Sequence, residues 1–271
     1  MKTIKLDNST RIPILGFGTA KLTGKACRKA VETALGVGYR HIDTAYSYQN
    51  QKEIAKAIKK SGIKRKCLFI TSKVFYFDLE PKRVKEICTI CLEELQIDYL
   101  DLFLIHWPNK TIPLKHTFYA LNGLLEEGLI KSIGVSNFTI NHLKDCLKTG
   151  IPVVNNQVEF HPSLNQMGLK KFCDEKGISL TAYSPLAQGQ DLKIKAIRNI
   201  AKRHGKTPAQ VINNWLVLKN IITIPKSSNP KRIKENWESL GFSLTKGEIF
   251  QMDNLDTGNR IVNPKFAEFN Y

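Results

Sequence analysis

An acid, a phenol, an amine and an imidazole stand in the first part of this chain: Asp43, Tyr48, Lys73 and His106. Each ends or follows a short apolar run. The local strings are Arg40-His41-Ile42-Asp43-Thr44-Ala45-Tyr46-Ser47-Tyr48, Phe69-Ile70-Thr71-Ser72-Lys73 and Leu102-Phe103-Leu104-Ile105-His106-Trp107-Pro108. If these runs are neighbouring parallel strands, the four groups converge on one rim. Such a set can give a proton to a carbonyl oxygen while something else gives a hydride. A free phenol ionises at roughly 10 and is a poor acid–base group near neutrality. A lysine ammonium about 4 Å away is worth ~4 kcal/mol at an effective dielectric of ~20, enough to pull the phenol toward neutrality. Asp43 would keep Lys73 charged and in place. His106 would donate a hydrogen bond to the substrate oxygen and orient it. Each residue alone is more often a packing or capping group; the joint placement of all four carries the chemistry.

The elements that must position them alternate along the chain. Eight strand candidates recur at Leu15–Thr19, His41–Thr44, Leu68–Lys73, Leu100–His106, Ser132–Asn137, Val154–Glu159, Ser179–Ser184 and Ile221–Lys226. They are rich in Ile, Val and Leu, as strands buried on both faces should be. Amphipathic stretches such as Ala26–Val37, Gln51–Ser61, Pro81–Leu95 and Leu114–Glu127 lie between them. Gly38, Gly62, Gly128, Gly150 and Gly177 follow helix-like segments, where a terminating glycine is expected. Alternating elements imply a parallel sheet. Eight units without a composition break imply an α/β fold of the (β/α)8 TIM barrel type, as one domain over residues 1–271. Thr3–Leu6 and Arg11–Ile14, joined by Asp7-Asn8-Ser9-Thr10, predict a β-hairpin across the bottom of that barrel. Barrel active sites form where the strands end, and all four reactive residues map there.

Composition narrows the function classes. With 271 residues, 42% of them hydrophobic, the chain can bury a full core. No run approaches the ~20 apolar residues of a membrane span. Met1-Lys2-Thr3-Ile4-Lys5-Leu6-Asp7 has no apolar core like that of a secretory signal, so a soluble cytoplasmic protein is expected. Among six cysteines, Cys88 and Cys91 form a C-x-x-C. They fall on the apolar face of a predicted helix with Val84, Ile87, Leu92 and Leu95, and there is no second pair at zinc-ligand spacing. Buried structural thiols are the expectation, with no metal. The net charge of +17 suggests a lysine-rich surface. The densest basic run, 57–66, holds no aromatic residue to stack a base, so nucleic acid is not an expected partner. A positive field would help collect an anionic cofactor or substrate.

Several of these strings together resemble the aldo-keto reductase family. They are Gly16-Phe17-Gly18-Thr19, Gly38-Tyr39-Arg40-His41-Ile42-Asp43-Thr44-Ala45, Ile105-His106-Trp107-Pro108 and Ile133-Gly134-Val135-Ser136-Asn137-Phe138, followed by Ile224-Pro225-Lys226-Ser227 and Arg232-Ile233-Lys234-Glu235-Asn236. The resemblance runs through essentially the whole chain and implies a monomeric barrel that binds NADPH without a Rossmann domain. It makes Tyr48 the general acid, with Asp43, Lys73 and His106 completing a tetrad. It places Gly18, Thr19 and Asp43 beside the cofactor, and Ser136, Asn137 and Gln157 on the nicotinamide carboxamide. Tyr183 would stack on the ring. Ser184, Pro185, Leu186, Gln188 and Gly189 would follow the pyrophosphate. Ile224, Lys226, Ser227, Ser228, Arg232, Glu235 and Asn236 would hold the adenosine 2′-phosphate and adenine, helped by a helix starting near Pro230. A dinucleotide fingerprint is absent, because Lys21 occupies its last glycine position.

Two departures concern the pocket. Ala20 stands where relatives often carry an aromatic ring, and Val74-Phe75-Tyr76-Phe77 offers aromatics instead. The segment Ala187 to Lys195 is short. These features resemble the compact 2,5-diketogluconate reductases, especially the B-type, and imply small activated carbonyl substrates: diketo sugar acids, methylglyoxal-like dicarbonyls or β-keto esters. His106, Trp107, Phe75 and Ala20 are the expected substrate-facing residues. Two other activities suit parts of the pattern: a Schiff-base aldolase using Lys73, and a non-catalytic NADPH-binding regulator.

Overall fold

The computed structural model describes residues 2–6 and 10–271. Strands β1 (Thr3–Lys5) and β2 (Arg11–Pro13) form the predicted antiparallel hairpin, with Ile4 opposite Ile12. The expected turn at Asp7, Asn8 and Ser9 lies outside the described residues. Then come β3 (Phe17–Gly18), β4 (His41–Asp43), β5 (Phe69–Val74), β6 (Leu102–Ile105), β7 (Ile133–Ser136), β8 (Asn155–Glu159), β9 (Ser179–Tyr183) and β10 (Ile222–Thr223). Each coincides with a predicted run, β5 extending one residue further. They pair in parallel and in chain order. The sheet then closes on itself. Leu15 bridges Thr223, the Gly16 amide donates to the Thr223 carbonyl (2.9 Å), and the Gly18 amide to that of Pro225 (3.3 Å). A Cβ at Gly18 would stand 2.6 Å from the Ile224 carbonyl oxygen, so only glycine lets this seam shut.

Helices α1 (Gly24–Val37), α2 (Gln51–Ser61), α3 (Pro81–Leu95), α4 (Leu114–Glu126), α5 (Ile140–Lys148) and α6 (Met167–Glu175) alternate with the strands. Both α7 (Lys195–His204) and α8 (Pro208–Leu218) lie between β9 and β10, and α9 (Pro230–Trp237) and α10 (Lys246–Asp253) follow. The starts are written locally. Thr139, Thr207 and Thr245 each form a reciprocal capping box, and α8 and α9 carry proline in the first turn, where the missing amide costs nothing. The five helix-ending glycines adopt positive φ, as the pattern predicts.

The main core fills the space between sheet and helices, and a smaller one seals the bottom. There Leu6 and Ile12 pack on Phe69, Leu102, Leu104, Val154 and Ile222, with Ile4 against them. Ile12 is wholly buried, worth roughly 1.5–3 kcal/mol. The hairpin thus plugs the N-terminal mouth, and the functional cavity opens at the other. Cys88 and Cys91 sit on the buried face of α3, where burial pushes their thiols up to about 12 and about 11. Among the described residues no helix is long and apolar enough to cross a membrane.

Candidate active site

Lys73 stands near the end of β5 with no exposed surface. Its ammonium donates to Asp43 Oδ1 (2.6 Å) and to the Thr44 carbonyl (2.7 Å). The other Asp43 oxygen accepts from Gln157 Nε2 (2.7 Å), so β4, β5 and β8 are cross-linked at their upper ends. Tyr48 ends a single 3-10 turn, Tyr46–Tyr48, that follows β4. The Lys73 ammonium lies 5.1 Å from its ring centroid. His106, one residue past β6, meets that ring edge-on, with centroids 5.6 Å apart. Its Nδ1 is 3.5 Å from the Ser47 hydroxyl. The four groups predicted to converge do so.

Their electrostatics differ from expectation in one respect. Burial first, and the Asp43 carboxylate second, push the Tyr48 phenol well above its ordinary value. The lysine charge is shared with Asp43 and Thr44, so its pull on the phenol does not outweigh burial and the carboxylate. Tyr48 therefore keeps its proton at neutral pH, as a donor must. Burial also draws the Lys73 ammonium down, against the opposing pull of Asp43. Burial, reinforced by Lys73, holds His106 well below its ordinary value. Its imidazole is neutral, with one donor and one acceptor nitrogen.

Beside this group runs a fixed chain of hydrogen bonds. The Tyr183 hydroxyl donates to Asn137 Oδ1 (2.7 Å). Asn137 Nδ2 donates to the His106 carbonyl (2.9 Å) and to Ser136 Oγ (3.1 Å). Ser136 in turn donates to the Gln157 carbonyl (2.7 Å). Asn137 has φ +65°, a conformation asparagine tolerates better than most residues.

Apart from Lys73, Thr44, Ser47 and Ser136, these residues border one cavity of about 810 Å³, within the range of ligand pockets. Asp43, Tyr48, His106, Trp107 and Ala20 line its reactive part, and Asn137, Gln157 and Tyr183 one wall. Gly18, Ser184, Pro185, Leu186, Gln188 and Gly189 border its middle. Ile224, Lys226, Ser227, Arg232, Glu235 and Asn236 form the far end. Thr19, Ser136 and Ser228 do not line it. The Thr19 hydroxyl donates to the Asp43 carbonyl (2.9 Å), Ser136 backs Asn137, and Ser228 is exposed. Phe75 is also off the lining. It turns its ring to His106 (centroids 5.5 Å apart) and to Phe266 (5.9 Å).

The far end has the make-up of a phosphate site. Lys226 and Arg232 are exposed and have no ion-pair partner among the described residues. Arg232 lies in the first turn of α9, whose Asn229 cap accepts from the Lys231 and Arg232 amides. A helix start and two uncommitted cations suit a dianion. With the aromatic and amide groups of the opposite wall, these residues fit a nicotinamide nucleotide.

Some lining residues escaped the sequence reading: Lys21, Leu192, Ala209, Pro225 and Val262. From the tail, Phe266 stacks on Tyr76 with centroids 4.1 Å apart and meets Trp107 edge-on at 5.4 Å. No local pattern marks these positions, and Val262 and Phe266 are placed by the route of the tail across the barrel mouth.

Comparison with known proteins agrees with this geometry. The Aldo/keto reductase family profile matches residues 14–257. Glyoxal reductase of Bacillus subtilis is 42% identical over 261 residues, covering 96% of this chain and 94% of its own. Methylglyoxal reductase DkgA of Escherichia coli K12 is 41% identical over 264 residues, 95% of this chain and 94% of its own. The crystal structure of an aldo-keto reductase from a Medee basin deep-sea metagenome library superposes with a TM-score of 0.95 at 38% identity, covering 99% of this chain and all of that one. With its barrel, its reactive groups and these likenesses, the chain belongs to the aldo/keto reductase family.

Proposed function

We propose that this protein reduces small activated aldehydes and ketones with NADPH, on substrates such as methylglyoxal-like dicarbonyls, β-keto esters or diketo sugar acids. The observation that carries the reading is the meeting of Asp43, Tyr48, Lys73 and His106 at one end of a cavity whose other end presents Lys226 and Arg232. A bound nicotinamide nucleotide supplies the hydride. Asn137 and Gln157 would hold its carboxamide, Tyr183 its ring face, and Lys226, Ser227 and Arg232 its 2′-phosphate.

The chain's own groups then handle the oxygen and the proton. His106, neutral, donates a hydrogen bond to the carbonyl oxygen and fixes its approach. Tyr48, protonated by virtue of burial, gives its proton to that oxygen as negative charge develops there. Lys73 offsets the charge left on the phenol. Asp43 and Thr44 hold the ammonium in place. A Schiff-base role for Lys73 loses support, since its amine is wholly buried and bonded to two oxygens. The names of the glyoxal and methylglyoxal reductases support small dicarbonyl substrates.

The test is a panel of carbonyl compounds with NADPH and NADH, followed by loss of reduced-cofactor absorbance. Higher catalytic efficiency for small dicarbonyls than for steroids or long-chain aldehydes is expected. The reverse order would remove the substrate assignment, and no turnover on any carbonyl would remove the reductase reading.

A further inference from the structure

Behind the cavity wall lie three ionisable side chains that the reaction does not use. His161 is clasped between two carboxylates, with Nε2 2.9 Å from Glu159 Oε1 and Nδ1 3.2 Å from Asp191 Oδ2. Glu159 and His161 have no exposed surface and Asp191 has 2%. With a carboxylate facing each ring nitrogen, both nitrogens carry protons and the ring is an imidazolium.

The carboxylates also hold backbone. The Ile261 and Val262 amides donate to the two oxygens of Glu159, each at 2.8 Å. The Ser163 amide and hydroxyl donate to Asp191 at 3.0 and 2.7 Å, and the Ser163 carbonyl accepts from the Asn259 amide (2.9 Å). Glu159 thus fastens the strap at 257–262, and Asp191 fastens the end of the loop at 184–193. Both segments face the cavity, through Val262 and through Gln188, Gly189 and Leu192. Within the loop, tight turns bond the Ala187 amide to the Ser184 carbonyl (2.8 Å) and the Gly189 amide to that of Leu186 (2.7 Å), but they do so in an unfavourable backbone. Ser184, Ala187 and Gln188 have φ of +46°, +49° and +51°, conformations disfavoured for residues with side chains. The ties at its end through Asp191 add to what these turns supply.

We propose that Glu159, His161 and Asp191 are positioning residues, a buried ionic latch joining loop to strap that sets how fast the nicotinamide nucleotide leaves. The latch rests on the reading of the cavity as a nucleotide site.

The charged groups facing His161 are Glu159 from β8 and Asp191 from the loop, with the Ser163 hydroxyl 3.1 Å from Nδ1; Tyr183 of β9 lies near Glu159, and Arg260 of the strap near Tyr183. Burial alone would lower the imidazole, but its hydrogen bonds to Asp191 and Glu159 outweigh this and raise it. Burial likewise opposes ionisation of both carboxylates, and bonds from His161, Ser163 and the strap amides hold them below their ordinary values. The latch therefore holds its imidazolium to a higher pH than a free imidazole would, and its carboxylates charged to a lower one. It loses the imidazolium as pH rises through the raised value, and the carboxylates only in acid.

The test uses the full chain and stopped-flow fluorescence, with NADPH displaced by excess NADP⁺. His161→Gln and Glu159→Gln should each speed release about tenfold, the scale of a lost charge-assisted hydrogen bond. Single-turnover reduction of methylglyoxal should stay within about twofold. Release from the wild type should quicken as pH rises on the alkaline side, and His161→Gln should lack that rise. The nucleotide's own 2′-phosphate titrates near ~6 in both proteins, so the difference between them is the reading. Should His161→Gln fail to fold, Glu159→Gln, which weakens the ties to both His161 and the strap, carries the test. Unchanged release, or lowered thermal stability with unchanged release, overturns the latch and leaves the reductase reading intact. Failure of the wild type to bind NADPH overturns both.

Discussion

Replacing Lys73 by methionine keeps the side chain's length and removes its charge. The consequence follows from what Lys73 touches. Its ammonium is buried and bonded to Asp43 and the Thr44 carbonyl, and Asp43 is itself only 2% exposed. In Lys73→Met the carboxylate keeps one partner, Gln157 Nε2 at 2.7 Å. Breaking a buried pair from one side costs roughly 3–5 kcal/mol. In a protein somewhat smaller than this one, 1 kcal/mol moves Tm by about 2–4 °C, so a fall of about 6–20 °C is expected. The double variant Asp43→Asn/Lys73→Met removes the stranded charge and should recover more than half of that loss. It should not recover turnover, because the ammonium that offsets the charge on Tyr48 is still missing. Differential scanning calorimetry and a methylglyoxal assay read the two quantities separately. A single variant as stable as wild type, or a double variant no more stable than the single, would refute the stranded-charge reasoning. A double variant with restored turnover would remove Lys73 from the chemistry.

Other consequences can be checked as directly. Tyr48→Phe should lower turnover by ~10²–10⁴-fold while fluorescence titration shows NADPH affinity nearly unchanged; turnover within a few-fold of wild type would take the proton-donor role away from Tyr48. Arg232→Ala removes a charge-assisted contact worth ~1.5–3 kcal/mol. It should raise KM for NADPH by about tenfold or more and leave KM for NADH nearly untouched, and equal effects on both would show that Arg232 does not read the phosphate. Glu248 has its carboxyl held down to about 2, where burial opposes ionisation and bonds from Thr245, His204 and Arg203 favour it. A depressed carboxyl stabilises the fold above its unfolded value and loses that contribution as pH falls through its folded one. Glu248→Gln should therefore flatten the fall in Tm between pH about 4.5 and about 2, and parallel curves for variant and wild type would dissociate Glu248 from acid unfolding.

The parts of this molecule that could be read from its residues are those that local physics determines. Short Ile- and Val-rich runs between amphipathic segments have few alternatives to a parallel barrel, and the right-handed order of such units brings Asp43, Lys73 and His106 to one rim. Gly38 and Gly62 end helices for a backbone reason that does not depend on the rest of the chain. The sign of the change at Tyr48 was not legible, because it turns on how Lys73 divides its charge among Asp43, Thr44 and the phenol. Val262 and Phe266 could not be placed either. Their positions depend on amides near residue 261 finding Glu159, about a hundred residues earlier. Phe75 shows the same limit. The strand that precedes it was predicted, but its ring meets Phe266, a contact with the tail.

The barrel is a hoop with a short clasp. Its first and last strands have two residues each, and the seam between them runs from Leu15 to Pro225. Gly18 on one side of that clasp and Lys226 on the other both border the cavity. A nucleotide bound there as proposed would reach across the join like a rivet, and at a hundred times its Kd it would add about 2.7 kcal/mol against opening. Parting of the clasp would bare two strand edges, and bare edges recruit other chains. On the proposed reading the nucleotide would be fastening as well as reagent, and the working life of each molecule would follow the supply of the compound it consumes.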